Sequence, residues 1–348
     1  MTAIELVTAG GVILDNVVTP DGRLSRAMMG GNAVHSAIGA RLWSPSVGIV
    51  GSLCSNYPDD LLDRLERAGV DLGGLVRFPE PVEQSEWFFY RGDGSRDDHL
   101  YASTGEADAA GIAGRWLSRE AIASWKDHIR RKPGAGLTFG AFRKAHPVGP
   151  GFMPPDWGAP KGIHLAPESA AAQRDFCTAV RRSGTVVTLD PGGQVGRLGD
   201  AGLDALLGLV DAFLPSEKEL YAVTGEGHSA AMLLRIAGRG SATVAVKVGA
   251  RGCLVVPAQA TDVVHVPAFK VDALDPTGAG DAFCGGFLAG LVETGDPVRA
   301  ACYGTVSASF AVERFGALPS SPPSPAEAET RLKAVSDAVR ILQKDHAG

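Results

Sequence analysis

Asp275-Pro276-Thr277-Gly278-Ala279-Gly280-Asp281 is the stretch whose reading decides the fold. An extended-type segment, His265-Val266-Pro267-Ala268-Phe269-Lys270-Val271, precedes it, and a long apolar run, Ala282-Phe283-Cys284-Gly285-Gly286-Phe287-Leu288-Ala289-Gly290-Leu291, follows it. That order predicts strand, tight glycine turn, helix. Glycines leave the N–H groups of such a turn unshielded by Cβ atoms, and together with the positive end of the helix dipole they favour an anion. Asp281 adds a carboxylate at the helix start, where the dipole keeps it ionised and where it can accept a proton from a bound hydroxyl. Anion cradle plus base points to phosphoryl transfer. The helix that follows is apolar on nearly every side, which predicts a central, buried position.

Towards the N-terminus the pattern alternates between strands and helices. Residues 242–249 read as a buried strand with Lys247 near its exit, turning at 249–252 into a strand over 253–256. Lys247 and Arg251 read either as phosphate contacts or as solvated turn residues. Residues 215–220 begin a helix just past a strand end, so Glu219 reads as a carboxylate for hydrated Mg2+ or as a first-turn acid that the dipole alone favours. Strands at 163–165, 186–190 and 212–214 and a helix over 167–182 continue the alternation. The Pro- and Gly-rich segment 143–162 reads as a long loop, either part of a substrate mouth or a solvated insertion. Residues 136–140 predict a short strand and 118–131 a helix.

Residues 83–91 and 99–102 are aromatic-rich strands around the turn Gly92-Asp93-Gly94-Ser95, a β-hairpin that interrupts the alternation. It is expected to leave the main sheet as a flap, with Trp87 or Phe89 over a small polar ligand, or else to be an ordinary edge hairpin. Further upstream, residues 4–9 and 11–15 read as a first strand that breaks at Gly10-Gly11 and delivers Asp15 to the strand end. Asp15 is then an acceptor for substrate hydroxyls or a turn residue. Gly30-Gly31 opens a helix running to Trp43, in which His35 faces either a ligand or the core. A strand at 46–51 and a helix at 58–68 follow. Beyond the central helix, Asp296-Pro297 starts a helix over 298–314, and a last helix spans 325–342.

The chain's 348 residues suffice for a large α/β domain with a smaller appendage. The 45 glycines, nearly twice the usual share, imply many tight turns. A net charge of −6 with no basic run argues against nucleic acid or an anionic membrane as partner. The five cysteines form no CxxC pair and point to neither a disulfide framework nor a zinc site. With no signal peptide or 18-residue apolar run, the expected location is the cytoplasm. No lysine follows a glycine anywhere, which excludes GxxxxGK[ST], and GxGxxG, HExxH and GxSxG are missing as well.

Together these residues resemble the ribokinase-like, PfkB-type family of carbohydrate and nucleoside kinases. Residues 275–287 match the family's C-terminal signature, and the order of the other features agrees over residues 4–316. The resemblance implies a ribokinase-like three-layer α/β/α sandwich over 1–82 and 106–348, with a small β lid at 83–105 to which parts of 11–29 are a candidate addition. It implies ATP-dependent phosphorylation of a hydroxyl on a small sugar or nucleoside, with Asp281 as base and the amides of Gly278, Ala279 and Gly280 as anion hole. Asp15, Gly30, Gly31 and His35 would hold the acceptor, and Lys247, Gly249 and Gly252 would lie along the nucleotide. Glu219 would bind Mg2+ through water, and Asp275 and Thr277 would hold a monovalent cation such as K+. Lids of similar kinases pair in dimers, so a homodimer through the lid is one expectation. The alternative is a sugar- or nucleotide-binding protein on the same fold with weakened catalysis. Three positions depart from the family pattern: His35 stands for Asn, Ser216 replaces the Asn of an Asn-x-x-Glu segment, and residues 54–60 loosen a Gly-Asp-Asp turn.

Overall fold

The computed structural model describes residues 3–91, 96–103, 115–116, 136–181, 184–225, 230–240 and 242–342. The turn expected at 92–95 and the helix expected at 118–131 lie outside them. The main sheet has ten strands, in spatial order Arg340–Leu342, Val263–Val266, Cys253–Val256, Thr243–Lys247, Ala212–Phe213, Val186–Leu189, Gly162–Leu165, Leu6–Ala9, Val47–Leu53 and Val70–Arg77. From Thr243–Lys247 to Val70–Arg77 every neighbouring pair is parallel, and the remaining three strands add on antiparallel. The parallel strands are buried on both faces, which is why they read as continuous apolar runs and not as alternations.

Helices cover both faces. On one, Phe176, Leu203, Leu220 and Leu233 of four successive helices pack against Val7, Ile163, Val187, Val244 and Val246. On the other lie Asn32–Arg41, Ala279–Thr294 and Pro297–Ala311, the second of which is the apolar helix expected to be central. It is buried from Ala282 to Gly290. These three helices approach closely because glycines face one another's backbones: a Cβ on Gly285 would run into the Ser36 carbonyl, and one on Gly39 into that of Ala282. Part of the glycine excess thus serves helix packing and not turns.

A second sheet of five strands, ordered Arg96–Ser103, Gln84–Tyr90, Ile13–Val18, Arg23–Gly30 and Arg115–Trp116, stands apart from the first. The chain enters it at Gly10-Gly11, so residues 4–15 are not one broken strand. Leu6–Ala9 belongs to the main sheet, and Asp15 sits within Ile13–Val18, paired with Met28 on one side and Glu86 on the other. It therefore does not lie at an end of the parallel sheet. The hairpin strands expected at 83–91 and 99–102 are present and pair antiparallel.

Other expectations need correction. Residues 136–140 do not form a strand: Thr138 Oγ1 accepts a hydrogen bond from Ala141 N at 3.0 Å and caps the helix Phe139–Ala145, so capping overrides the extended-type composition. The segment 143–162 is not a structureless loop or solvated insertion: its first residues end the helix Phe139–Ala145. It makes two short turns of 3-10 helix, Pro150–Phe152 and Pro155–Trp157, and inserts the buried Trp157 ring where Gly48 and Gly74 leave room on the last two strands of the sheet. The last helix stops at Asp337, and Arg340–Leu342 forms the edge strand. Val263–Val266 ends twelve residues short of the helix N-cap Gly278, so the connection there is a loop and not a tight turn.

Candidate active site

Two helix N-termini meet at the strand exits. Asn32–Arg41 begins behind Gly31, with φ 96°, and Ala279–Thr294 begins behind Gly278, with φ 73°. Both conformations lie in the left-handed region that favours glycine. The His35 ring packs directly on Gly278, so any Cβ there would strike it. His35 Nε2 lies 3.3 Å from Asp15 Oδ2, with both side chains 3 % exposed. Gly30 leaves the space the Asp15 carboxylate fills, and Gly31 sits hard against the Gly11 carbonyl. Asp15, Gly30, Gly31, His35 and Gly278 therefore form one continuous wall. Asp281 stands in the first turn of the second helix, and its carbonyl accepts a bond from Ser36 Oγ at 3.0 Å, which ties the two helices together.

Beneath this wall is a charged cluster that includes a residue sequence reasoning missed. Lys247 Nζ contacts Asp190 Oδ2 at 2.5 Å and Cys284 Sγ at 3.5 Å. The Lys247 and Asp190 side chains are 12 % and 5 % exposed. Burial alone would lower the lysine pKa, but the charge of Asp190, joined by Cys284 and Glu219, holds it well above its ordinary value. Lys247 is thus a fixed cation, and its Nζ would be 3.7 Å from a Cβ on Gly280, directly under the turn of amides. Glu219 lies next to this pair. Its carboxylate closes a capping box, accepting from Ser216 N at 2.7 Å and Ser216 Oγ at 2.8 Å. Burial, reinforced by Asp190, raises its pKa against the opposing pull of Lys247 and Ser216. The Ser216 hydroxyl therefore holds the acid through the cap.

Asp275 is 1 % exposed. Its Oδ1 accepts from Thr277 N at 2.9 Å, while Oδ2 is buried with no hydrogen-bond partner. Burial raises its pKa, in opposition to the Thr277 hydrogen bonds. Thr277 Oγ1 pairs with Tyr90 OH at 2.9 Å, so the second sheet touches the loop through Tyr90. Trp87 and Phe89 are buried, 0 % and 3 % exposed, and stack on each other with ring centres 6.3 Å apart, so they do not offer free faces to a ligand. Gly249 and Gly252, with φ of 62° and 100°, bracket the turn after Lys247, and a Cβ on Gly252 would strike the Val266 carbonyl. Among the described residues no three His, Cys, Asp or Glu side chains are arranged to hold a metal unaided.

Residues 162–324 match the family described as pfkB family carbohydrate kinase. The cytidine kinase of Thermococcus kodakarensis is 25 % identical over 290 residues, covering 82 % of this chain and 88 % of that protein. Among solved structures, the Burkholderia thailandensis nucleoside kinase in complex with ADP-inosine superposes with a TM-score of 0.70 at 18 % identity, over 98 % of this chain and 99 % of that one. A putative ribokinase II from E. coli in complex with ATP and Mg2+ gives 0.63 at 19 % identity, over 95 % and 99 %. The fold is the ribokinase-like α/β fold. The chain is similar to the PfkB family of sugar and nucleoside kinases, whose model it matches over residues 162–324, and its curated homologues are phosphotransferases with an alcohol group as acceptor. No helix among the described residues is long and apolar enough to cross a membrane.

Proposed function

We propose that this kinase transfers the γ-phosphoryl group of ATP to a hydroxyl of a small sugar or nucleoside, with Asp281 as the general base. The observation that carries the reading is the meeting of two helix N-termini, with Asp281 in the first turn of the second and the Lys247 ammonium under Gly280. Phosphoryl transfer asks for positioning and for neutralisation of charge on the transferred group more than for covalent help. In this reading the amides of Gly278, Ala279 and Gly280 serve that group, the Ala279 amide exchanging its 3.2 Å bond to Pro276 O for a phosphoryl oxygen, and Lys247 adds a cation that Asp190 holds still. Asp15 and His35 accept and orient hydroxyls of the acceptor against the Gly30-Gly31 wall, which places the reacting hydroxyl towards Asp281. Gly249 and Gly252 leave backbone room for the nucleotide beyond Lys247.

The donor set fits Mg2+ that arrives on nucleotide phosphates: Glu219 is one acid with a raised pKa and would reach the ion through water. When bound, the ion supplies charge neutralisation on the phosphates. The unpartnered Oδ2 of buried Asp275 fits a monovalent cation, with Thr277 beside it. The Tyr90–Thr277 bond supports a lid role for the second sheet, 83–105 together with strands from 11–29, since ordering that sheet over the acceptor would order the cation loop as well. All five cysteines are free thiols, which supports a reducing, cytoplasmic location. An ADP-release assay with Mg-ATP against sugars, nucleosides and sugar phosphates tests the reading. Acceptor-stimulated release is expected, and acceptor binding without turnover would instead make the chain a binding protein on this fold.

A further inference from the structure

We propose that Arg143 is the specificity-determining residue for the end of the acceptor remote from the transferred hydroxyl, and that with Glu168 it selects a neutral oxygen there over a phosphate or carboxylate. The inference rests on the kinase reading above. Arg143 leaves the helix Phe139–Ala145 and lays its guanidinium over Gly11: a Cβ on residue 11 would meet Cζ at 2.7 Å, Nη1 at 2.8 Å and Nε at 2.9 Å. Gly11 and the Pro167-Glu168 pair leave the adjacent parallel strands Leu6–Ala9 and Gly162–Leu165 on the same side of the sheet. Small ligands of open α/β sheets collect at such strand exits.

The backbone around the guanidinium is built to hold it. Arg143 Nη2 donates to Pro167 O at 2.7 Å, and Asn32 Nδ2 donates to the same carbonyl at 3.2 Å while its Oδ1 accepts from Gly11 N at 2.6 Å. Gly11 in turn touches Gly31, whose helix carries His35 against Gly278. The order along the wall is therefore Arg143, Gly11, Gly31, His35, Gly278 and then the Asp281 turn. Arg143 and Asp281 stand at its opposite ends.

Two facts define what Arg143 can take. Its Nε is buried with no hydrogen-bond partner, a donor that a ligand oxygen would satisfy. Its charge is already opposed by Glu168, whose Oε2 lies 3.4 Å from Nη2 and whose side chain is only 12 % exposed. An incoming phosphate would meet the guanidinium and that carboxylate together, so the pair offers N–H donors without net positive charge. A sugar hydroxyl or a nucleobase carbonyl suits it, and an anion does not.

The test is steady-state ADP release by wild type, Arg143→Ala and Glu168→Gln on nucleosides, unphosphorylated sugars, sugar phosphates and sugar acids, with melting temperatures as a folding control. Wild type is expected to use neutral acceptors, and whether nucleosides or sugars lead tells a carbonyl from a hydroxyl. Arg143→Ala is expected to raise KM for the preferred acceptor about 10- to 100-fold with a smaller change in kcat, the size of a lost hydrogen bond to a charged group. Near-isosteric Glu168→Gln is expected to raise kcat/KM for anionic acceptors relative to neutral ones by about tenfold or more, as an unmasked surface-facing cation should. A wild type that prefers sugar phosphates, or a folded Glu168→Gln variant with unchanged selectivity, overturns the proposal while leaving the kinase reading intact. No acceptor-stimulated ADP release by wild type overturns both.

Discussion

Removing the Lys247 ammonium should unbalance the buried cluster under the Gly278–Gly280 segment. At 2.5 Å from Asp190 Oδ2, a unit charge pair at an effective dielectric of about 20 is worth about 7 kcal/mol before desolvation is counted. Taking both charges out of water costs several kcal/mol each, so the pair itself is close to neutral for stability. Lys247→Met does something different from removing the pair, because it leaves Asp190 facing Glu219 with the neutralising cation gone. Breaking a buried pair from one side typically costs about 3–5 kcal/mol. Asp190→Asn should be costly for the mirror-image reason, while Asp190→Asn combined with Lys247→Met should lose much less than the sum. Urea unfolding of the four proteins, with the midpoint read at constant m-value, measures this cycle. A Lys247→Met cost below about 1 kcal/mol, or simple additivity in the double variant, would refute the buried-pair reasoning. Folded Lys247→Met should also turn over about 10²- to 10³-fold more slowly, the effect of losing one preorganised positive group.

Three other perturbations probe the wall, the sheet core and the Asp275 loop. Gly278→Ala should cost about 1–2 kcal/mol for the left-handed backbone alone, and its Cβ would displace His35 from Asp15, so acceptor KM should rise more than ATP KM in steady-state assays. His164, held down to about 3 by burial, binds no proton in the folded chain between that pH and about 6.5, whereas the unfolded chain does. Stability is therefore full above about pH 6.5 and declines as pH falls towards 3, by at most about 1.4 kcal/mol per unit, and urea titrations from pH 7 to 4.5 should show a shallower decline for His164→Gln. Replacing K+ by tetramethylammonium should lower turnover, and the K+ requirement should weaken in Asp275→Asn. Burial raises the Asp275 pKa, so protonation competes with the cation and K+ activation should be stronger at higher pH.

Much of the fold was legible because its signals are local. Glycines at 278 and 280 before an apolar run announced a buried helix, and it is present with Gly278 as the N-cap, although a longer loop stands where the tight turn was expected. The strand and helix alternation survived because parallel strands buried on both faces carry continuous apolar runs. What escaped depends on partners far along the chain. Asp190 looks like any acid at a strand end until Lys247, 57 residues later, closes on it. Tyr90 meets Thr277 across 187 residues, and no periodicity in either segment encodes that contact. Residues 136–140 misread as a strand because Thr138 carries both a β-branched side chain and a capping hydroxyl, and the cap prevailed. Arg340–Leu342 read as helix because edge pairing with Val263–Val266, and not the residues' own propensity, defines it.

The central claim is that Asp281 receives the proton of the acceptor hydroxyl. Asp281→Asn keeps the shape of the helix start and removes the base, so kcat in an ADP-release assay with the best acceptor should fall about 10²- to 10⁴-fold. ATP affinity by isothermal titration should be little changed. Turnover within about tenfold of wild type in a folded Asp281→Asn enzyme would contradict that role.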